Sequence, residues 1–184
     1  MTGNSVPSKV DLVLFSKQGR QIRASMPVAD MPRLTGLLAD ASGTAELDLQ
    51  FGLDSGRRAV VHGSIRATVM VTCQRCLEPM ALALEPQINV AMVGREDEAD
   101  SLPEELDPLL CPSGEVVVGE FVQDELILAL PVIPRHENDV SCVPLTGDSP
   151  GGDGVAPEEV KDNPFAVLST LRERGGDQGS NQES

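Results

Sequence analysis

The sequence is poor in aromatic residues. Its 184 residues include no tryptophan and no tyrosine, and the four phenylalanines are Phe15, Phe51, Phe121 and Phe165. Proteins that hold single-stranded nucleic acid usually stack its bases on aromatic rings. The shortage therefore argues against base stacking as a main binding mode.

Basic residues are scarce relative to acidic ones. The chain has 14 lysines and arginines against 29 aspartates and glutamates, which makes the formal net charge −15. Such an excess of negative charge repels phosphate backbones and anionic lipids. The composition therefore argues against DNA, membranes and non-specific RNA as partners of the whole surface. It still allows a basic protein partner or one local basic patch.

Long apolar segments and common enzyme motifs are also lacking. No apolar run approaches the roughly twenty residues that cross a bilayer, and residues 1–10 lack the apolar core and cleavage site of a signal peptide. These features predict a cytoplasmic protein, in which disulfides among the four cysteines are disfavoured. There is no Gly-rich phosphate loop, no HExxH motif and no nucleophile elbow, so an enzyme is not expected.

What the sequence does contain is a clear period-two pattern in its centre. Apolar and polar residues alternate from Thr44 to Phe51, again from Arg58 to Thr72, and in a third run from Leu82 to Met92. This alternation is typical of half-buried antiparallel strands. Three such strands with short links predict an antiparallel meander, which can curl towards a barrel.

The segments around this pattern predict less regular structure. Val10–Phe15 is predicted as a first strand. Met26–Leu38 has loosely helical spacing, which Pro27 and Pro32 restrict to its later part. Arg95–Pro108 is predicted as an acidic loop.

One main helix is predicted from about Gly119 to Leu130, with a broad apolar side suited to packing on a sheet. Glu125 falls inside that side, where a carboxylate usually extends towards solvent or pairs. The predicted fold class is therefore α+β, an antiparallel meander packed by one main helix. The predicted organisation is an N-terminal segment with a strand over residues 1–25, an α+β core domain over 26–138, an acidic flexible linker over 139–162, a short C-terminal docking helix over 163–174 and a disordered tail over 175–184.

The C-terminal helix is predicted from its start signal. Asn163 suits the N-cap and Pro164 the first helical position. Phe165, Leu168 and Leu171 follow at a spacing of three residues. A helix this short is not stable alone in water, so these apolar residues are predicted to dock on their own domain or on a partner.

Cys73 and Cys76 lie two residues apart, where the second alternating strand ends. A structural zinc site needs four nitrogen or sulfur ligands, and His136 and Cys142 could supply the other two. Redox chemistry is a second interpretation, although redox CxxC motifs open a helix after a strand of a parallel sheet. A third interpretation is that small buried thiols stabilise the turn. Cys111 is most simply a small apolar residue.

Basic side chains cluster beside this turn. Arginine and histidine recur every four residues on one face of the second strand, and two further arginines lie nearby, which marks a candidate contact for RNA or a partner. Alternatively, Glu46 and Asp48 on the preceding strand pair with the arginines across the ladder. We call this set the basic face: Arg57, Arg58, His62, Arg66 and Arg75.

Three segments are more specific than any single motif. They are the turn from Cys73 to Cys76, the stretch DELILALPVIP over Asp124–Pro134, and the stretch NPFAVL over Asn163–Leu168. In this order and spacing they resemble the bacterial large ribosomal RNA subunit accumulation protein family, the YceD-like proteins. The resemblance covers about Met26 to Arg174.

The resemblance implies a non-enzymatic factor that supports synthesis, processing or stable accumulation of 23S ribosomal RNA. Its partner would be ribosomal RNA or a basic large-subunit ribosomal protein. Many relatives carry a second cysteine pair after the leucine–proline stretch, where this chain offers only His136 and Cys142. The candidate cofactor is zinc, held by Cys73, Cys76, His136 and Cys142. The alternative is a zinc- or thiol-dependent redox or structural factor that uses the Cys73/Cys76 turn.

Overall fold

The structure is a computed structural model that describes residues 6–136 together with Cys142. All of them lie in the first of two compact units, which spans residues 1–146. The described part combines eight strands with three α-helices and two short 3-10 segments, which is an α+β fold as predicted. The strands are β1 (Lys9–Asp11), β2 (Gln21–Pro27), β3 (Thr44–Leu53), β4 (Ala59–Thr72), β5 (Pro79–Leu84), β6 (Gln87–Val93), β7 (Asp107–Leu110) and β8 (Glu115–Val117), and the α-helices are α1 (Leu12–Lys17), α2 (Pro32–Thr35) and α3 (Val118–Leu128).

The predicted meander forms the centre of the main sheet. Strand β4 pairs antiparallel with β3 on one side and with β5 and β6 on the other. The alternating residues of β4 are buried as the period-two pattern predicts, from Ala59 through Ile65 and Val69 to Val71. Cys73 continues this buried face beyond the end of the strand.

The third predicted strand is divided in the structure. β5 and β6 pair with β4 in one continuous register, with Leu84 opposite Ala67 and Gln87 opposite Ser64. Proline has no N–H to give to the ladder, and Pro86 lies at the interruption, where its carbonyl oxygen still accepts from the Ile65 N–H at 3.2 Å.

The sheet is mixed, which corrects the expectation of a wholly antiparallel one. β2 pairs antiparallel with β3, but β7 pairs parallel with β6. The predicted acidic loop contains a 3-10 segment over Glu96–Ser101, and its end belongs to β7. Among the described strands, no pairing links the ends of the path β2–β3–β4–β6–β7, so a closed barrel is not shown.

The predicted first strand is wrong beyond its first residues. The strand β1 ends at Asp11, and α1 begins at the next residue, Leu12. The Asp11 carboxylate accepts from the Leu14 N–H at 2.8 Å and so satisfies a free donor of the first turn. That cap turns the chain into a helix, which lies against β3 and β4.

The stretch Met26–Leu38 is mostly not helical. Strand β2 runs to Pro27, a 3-10 segment covers Val28–Asp30, and α2 begins at Pro32, the first helical position that proline favours. Only the later part is therefore helical, as the prolines predicted.

Helix α3 confirms the main predicted helix within two residues at each end. Phe121, Val122 and Leu126 are buried in the core, which also contains Leu49 and Ile65 of the sheet. The predicted linker, C-terminal helix and tail lie outside the described residues. Among the described residues, no helix has both the length and the apolar character needed to cross a membrane.

Candidate metal centre

The loop between β4 and β5 carries the first cysteine pair. The Cys73 N–H donates to the Glu78 carbonyl oxygen at 2.9 Å, and the Leu77 N–H donates to the Cys73 carbonyl oxygen at 3.0 Å. Leu77 adopts a positive φ of 61°, with its side chain exposed. These contacts close a tight turn that holds Cys73 and Cys76 close together.

The chain after α3 returns to this turn. The Gln74 N–H donates to the Pro134 carbonyl oxygen at 2.8 Å, which fixes the residues just before His136. The Sγ atoms of Cys73 and Cys142 lie 3.7 Å apart, and the Cys76 Sγ lies 3.5 Å from the His136 Nδ1. The four residues singled out from the sequence thus converge, with all of their ligand atoms within 4.8 Å of one another.

The surroundings favour a thiolate at Cys73. Burial alone raises the pKa of this thiol, but the backbone N–H groups of Cys76, Arg75 and His136 point at the sulfur and outweigh burial, lowering the pKa to about 5. The net shift at Cys142 is upward. Burial raises the pKa of its thiol, and the neighbouring thiols of Cys76 and Cys73 raise it further, to about 11. Donors aimed at a ligand sulfur are a common second layer of metal sites.

The donor set could hold a metal ion. Three cysteines and one histidine form a ligand combination that structural zinc sites use. A regular tetrahedron with zinc–sulfur bonds of about 2.3 Å places its sulfur atoms about 3.8 Å apart, close to the 3.7 Å between Cys73 and Cys142. The separation is far longer than a disulfide bond of about 2.05 Å, and both cysteines are free.

Cys111 is not part of this cluster. Its thiol is buried and donates to the Glu115 carbonyl oxygen at 3.2 Å, in the turn between β7 and β8. This agrees with its interpretation as a small core residue, and it makes Cys111 a natural control for the other cysteines.

Several members of the basic face have polar partners. Arg58 pairs with Asp54 at 2.7 Å, Arg66 pairs with Glu85 at 2.7 Å, and the ring of His62 contacts Asn89. These partners lie within the same surface, so it carries charges of both signs.

The two acids that were expected to pair with the basic face have different surroundings. Glu46 lies opposite Arg66 in the register of β3 and β4. Asp48 instead accepts from Gln21 and from Arg23, and these bonds lower the pKa of its carboxyl. A binding role for the basic face stays a prediction. The docking residues Phe165, Leu168 and Leu171 lie outside the described residues.

The sequence patterns did not predict a groove that lies beside α3. It lies between β7, β8 and α3, and its rim carries Glu115, Glu120, Asp124 and Glu125. Burial and the nearby Asp107 and Asp124 raise the pKa of the Glu125 carboxyl. The placement of Glu125 inside the apolar side of the predicted helix was the one signal for this site. The pairing of β7 with β6, which shapes the opposite wall of the groove, had no signal in the local sequence.

Comparisons with known proteins agree with the resemblance. The family model described as "Large ribosomal RNA subunit accumulation protein YceD" matches residues 61–172. A protein of that name from Haemophilus influenzae is 35% identical over 147 residues, which cover 78% of this chain and 83% of the relative. No solved structure matches the chain.

Proposed function

Since the chain belongs to the YceD family of large ribosomal RNA subunit accumulation proteins, we propose that it is a non-enzymatic factor in large-subunit biogenesis. In this role it supports synthesis, processing or stable accumulation of 23S ribosomal RNA in the cytoplasm. The observation that carries the proposal is the match itself, whose 78% share of the chain includes most of the described fold.

The proposed factor acts by contact with ribosomal RNA or with a basic large-subunit ribosomal protein. The net charge of −15 favours the protein as the main partner. Arg57 and Arg75 are the members of the basic face whose exposed side chains are best placed to touch RNA, because Arg58 and Arg66 already form ion pairs with acids of this chain.

The test is a comparison of ribosomal RNA levels in cells with and without the gene. Loss of the gene is expected to lower 23S relative to 16S ribosomal RNA, and a plasmid copy is expected to restore the ratio. An unchanged ratio, measured by gel or sequencing of total RNA, would refute the proposal.

A zinc ion is the proposed cofactor, held by Cys73, Cys76, His136 and Cys142. The distances of 3.7 Å and 3.5 Å between the paired ligand atoms support this assignment. When bound, zinc would serve a structural purpose, because four protein ligands leave no open position for catalysis. It would join the β4–β5 turn to the chain that follows α3.

Elemental analysis of the reduced protein tests the cofactor. About one zinc per chain is expected for a single four-ligand site, with loss of the metal and of thermal stability in Cys73→Ser/Cys76→Ser. The control is Cys111→Ser, which leaves the cluster intact and should retain the metal. A metal-free wild-type protein with thiol-exchange activity that depends on Cys73 would support the redox alternative instead.

A further inference from the structure

A groove of about 300 Å³ runs between β7, β8 and α3. The apolar part of its lining, which we call the apolar floor, includes Leu109, Val116 and Phe121. Leu110 on one wall is half exposed, at 50% of its full surface. Concave surfaces lined by apolar side chains with a few polar groups are the usual places where proteins bind ligands.

Both strands that border the groove have a free edge in the part of the chain that the structure describes. β7 is the last strand of the main sheet, and β8 pairs only with β1. The turn between them, closed by a bond from the Gly114 N–H to the Cys111 carbonyl oxygen, separates the two strands instead of pairing them. Unpaired N–H and C=O groups on an edge are a template for an added strand. In β7, Pro108 can offer only its carbonyl oxygen, because proline has no N–H.

The rim of the groove is acidic. Of its four carboxylates, Asp124 pairs with Arg33 at 2.6 Å. No ion pair within the described residues involves Glu115, Glu120 or Glu125, and none of the described residues that line the groove is lysine or arginine. Burial raises the pKa of the Glu125 carboxyl, and the nearby charges of Asp107 and Asp124 add to the shift.

We propose that this groove binds an extended, lysine- and arginine-rich segment of a partner protein as an additional β-strand. Successive side chains of a strand point to opposite faces, so such a segment places apolar residues on Leu110 and Phe121 and basic residues towards Glu120 and Glu125. The identity of the partner as a basic ribosomal protein rests on the proposed function, whereas the recognition chemistry rests on the groove alone.

The charge of the groove selects against other occupants. An RNA strand would bring phosphates next to the carboxylates of the rim, which repel them. A second copy of this chain would bring a body of net charge −15 against the same rim. A basic extended segment can pair with the carboxylates of the rim, cover the apolar floor and form hydrogen bonds with the free strand edges.

The experiment is a fluorescence anisotropy titration of the full-length chain with a labelled peptide of about eight residues, a usual strand length, in which lysine alternates with valine. The groove variant is Glu120→Gln/Glu125→Gln. The matched control is Glu96→Gln/Glu104→Gln, which removes the same charge from exposed positions that do not line the groove. The groove variant is expected to weaken binding about tenfold, as for loss of close charge pairs, and the control less than about twofold.

A second peptide, in which lysine alternates with glycine, separates strand recognition from charge attraction. It should bind at least about tenfold more weakly, because it cannot fill the apolar floor and forms strands poorly. Equal binding of the two peptides, or equal loss in both variants, would overturn the inference in favour of non-specific attraction. A dimer that Leu110→Lys dissociates would identify a second copy as the occupant and also overturn it.

The ribosomal RNA assay separates this inference from the proposed function. If the wild-type gene restores 23S ribosomal RNA but the groove variant binds peptide normally, the groove inference fails and the proposed function stands. If loss of the gene leaves 23S ribosomal RNA unchanged while the groove variant loses peptide binding, the proposed function fails and the groove remains a basic-peptide site.

Discussion

At the scale of single residues, Cys73 has the most strongly altered chemistry. Its pKa of about 5 lies far below that of an unfolded thiol, roughly 8.5. Removal of metal with a chelator is expected to leave a thiolate whose ultraviolet absorbance appears as the pH rises through about 5. The absorbance should be lost in Cys73→Ser and kept in Cys111→Ser.

The sign of the accompanying stability change follows from the same shift. Because the folded pKa is lower than the unfolded one, Cys73 stabilises the metal-free fold fully above about pH 8.5. That contribution is lost as the pH falls towards about 5. The urea midpoint of Cys73→Ser should therefore lack this part of the pH dependence. A wild-type urea midpoint that does not decrease as the pH is lowered from about 8.5 to about 5 would contradict the lowered pKa of Cys73.

Glu125 provides a second test at this scale. Burial and the nearby Asp107 and Asp124 raise the pKa of its carboxyl, so the ionised form is penalised in the folded state above that pKa. Glu125→Gln should raise the free energy of unfolding at neutral pH, by no more than about 0.5 kcal/mol because the side chain is partly screened by solvent. Urea denaturation measures the gain.

The gain should disappear below about pH 4, where the wild-type carboxyl is protonated in both states. Glu120→Gln is the matched control on the same helix. Glu120 lies in the first turn of α3, where a negative charge is favoured, so its neutralisation should give no gain. An equal gain in both variants would mean that general charge repulsion is responsible.

At the scale of elements, Gly63 decides how closely β3 and β4 approach. It has a φ of +147°, and a Cβ placed there would lie 2.0 Å from the Asp48 carbonyl oxygen. Neither strand can shift without disturbing the ladder, so Gly63→Ala should cost about 3 kcal/mol or more of unfolding free energy. Gly19→Ala is the control, because its Cβ would meet no atom within 4 Å.

Gly19 also has a positive φ, of +59°, so its substitution isolates backbone strain and should cost about 1–2 kcal/mol. Denaturation of both variants in urea gives the difference. Equal costs would show that the close approach at Gly63 is relieved by movement of the sheet.

One buried side chain of α3 caps the backbone of α2. The Gln123 Oε1 accepts from the Arg33 N–H at 2.8 Å and from the Leu34 N–H at 3.4 Å. Gln123→Met keeps the approximate size but leaves these donors without an acceptor, which should cost about 1–3 kcal/mol in a thermal or urea unfolding experiment. Gln18→Met at an exposed position should change stability by less than about 0.5 kcal/mol. Similar effects of the two substitutions would show that the donors at α2 find other partners.

At the scale of the whole molecule, the net charge of −15 works against the compact state. Added sodium chloride screens this repulsion and should raise the melting temperature by about 2–5 °C near neutral pH. Near the isoelectric point of about 4.4 the same salt should have little effect. A melting temperature that is independent of salt at both pH values would indicate that local ion pairs offset the excess charge.

Local patterns account for the parts of the fold that were predicted. The alternation along β4 specified its buried face, and the apolar side of Gly119–Leu130 specified α3, because burial repeats at the period of each element. β2 and β7 were missed because in each the pattern is weak, with only Ile22 buried in β2 and no buried residue in β7. Their strand character comes from pairing with neighbours.

The sequence by itself determined the acidic character of the chain, the central meander and the placement of Cys73 and Cys76 on one turn. Only the tertiary structure decided that His136 and Cys142 reach that turn. It also decided that Glu120 and the other acids of the rim face a groove beside a free strand edge. The reason is physical: periodicity records which face of an element is buried, whereas the meeting of residues some sixty positions apart depends on the path of the folded chain between them.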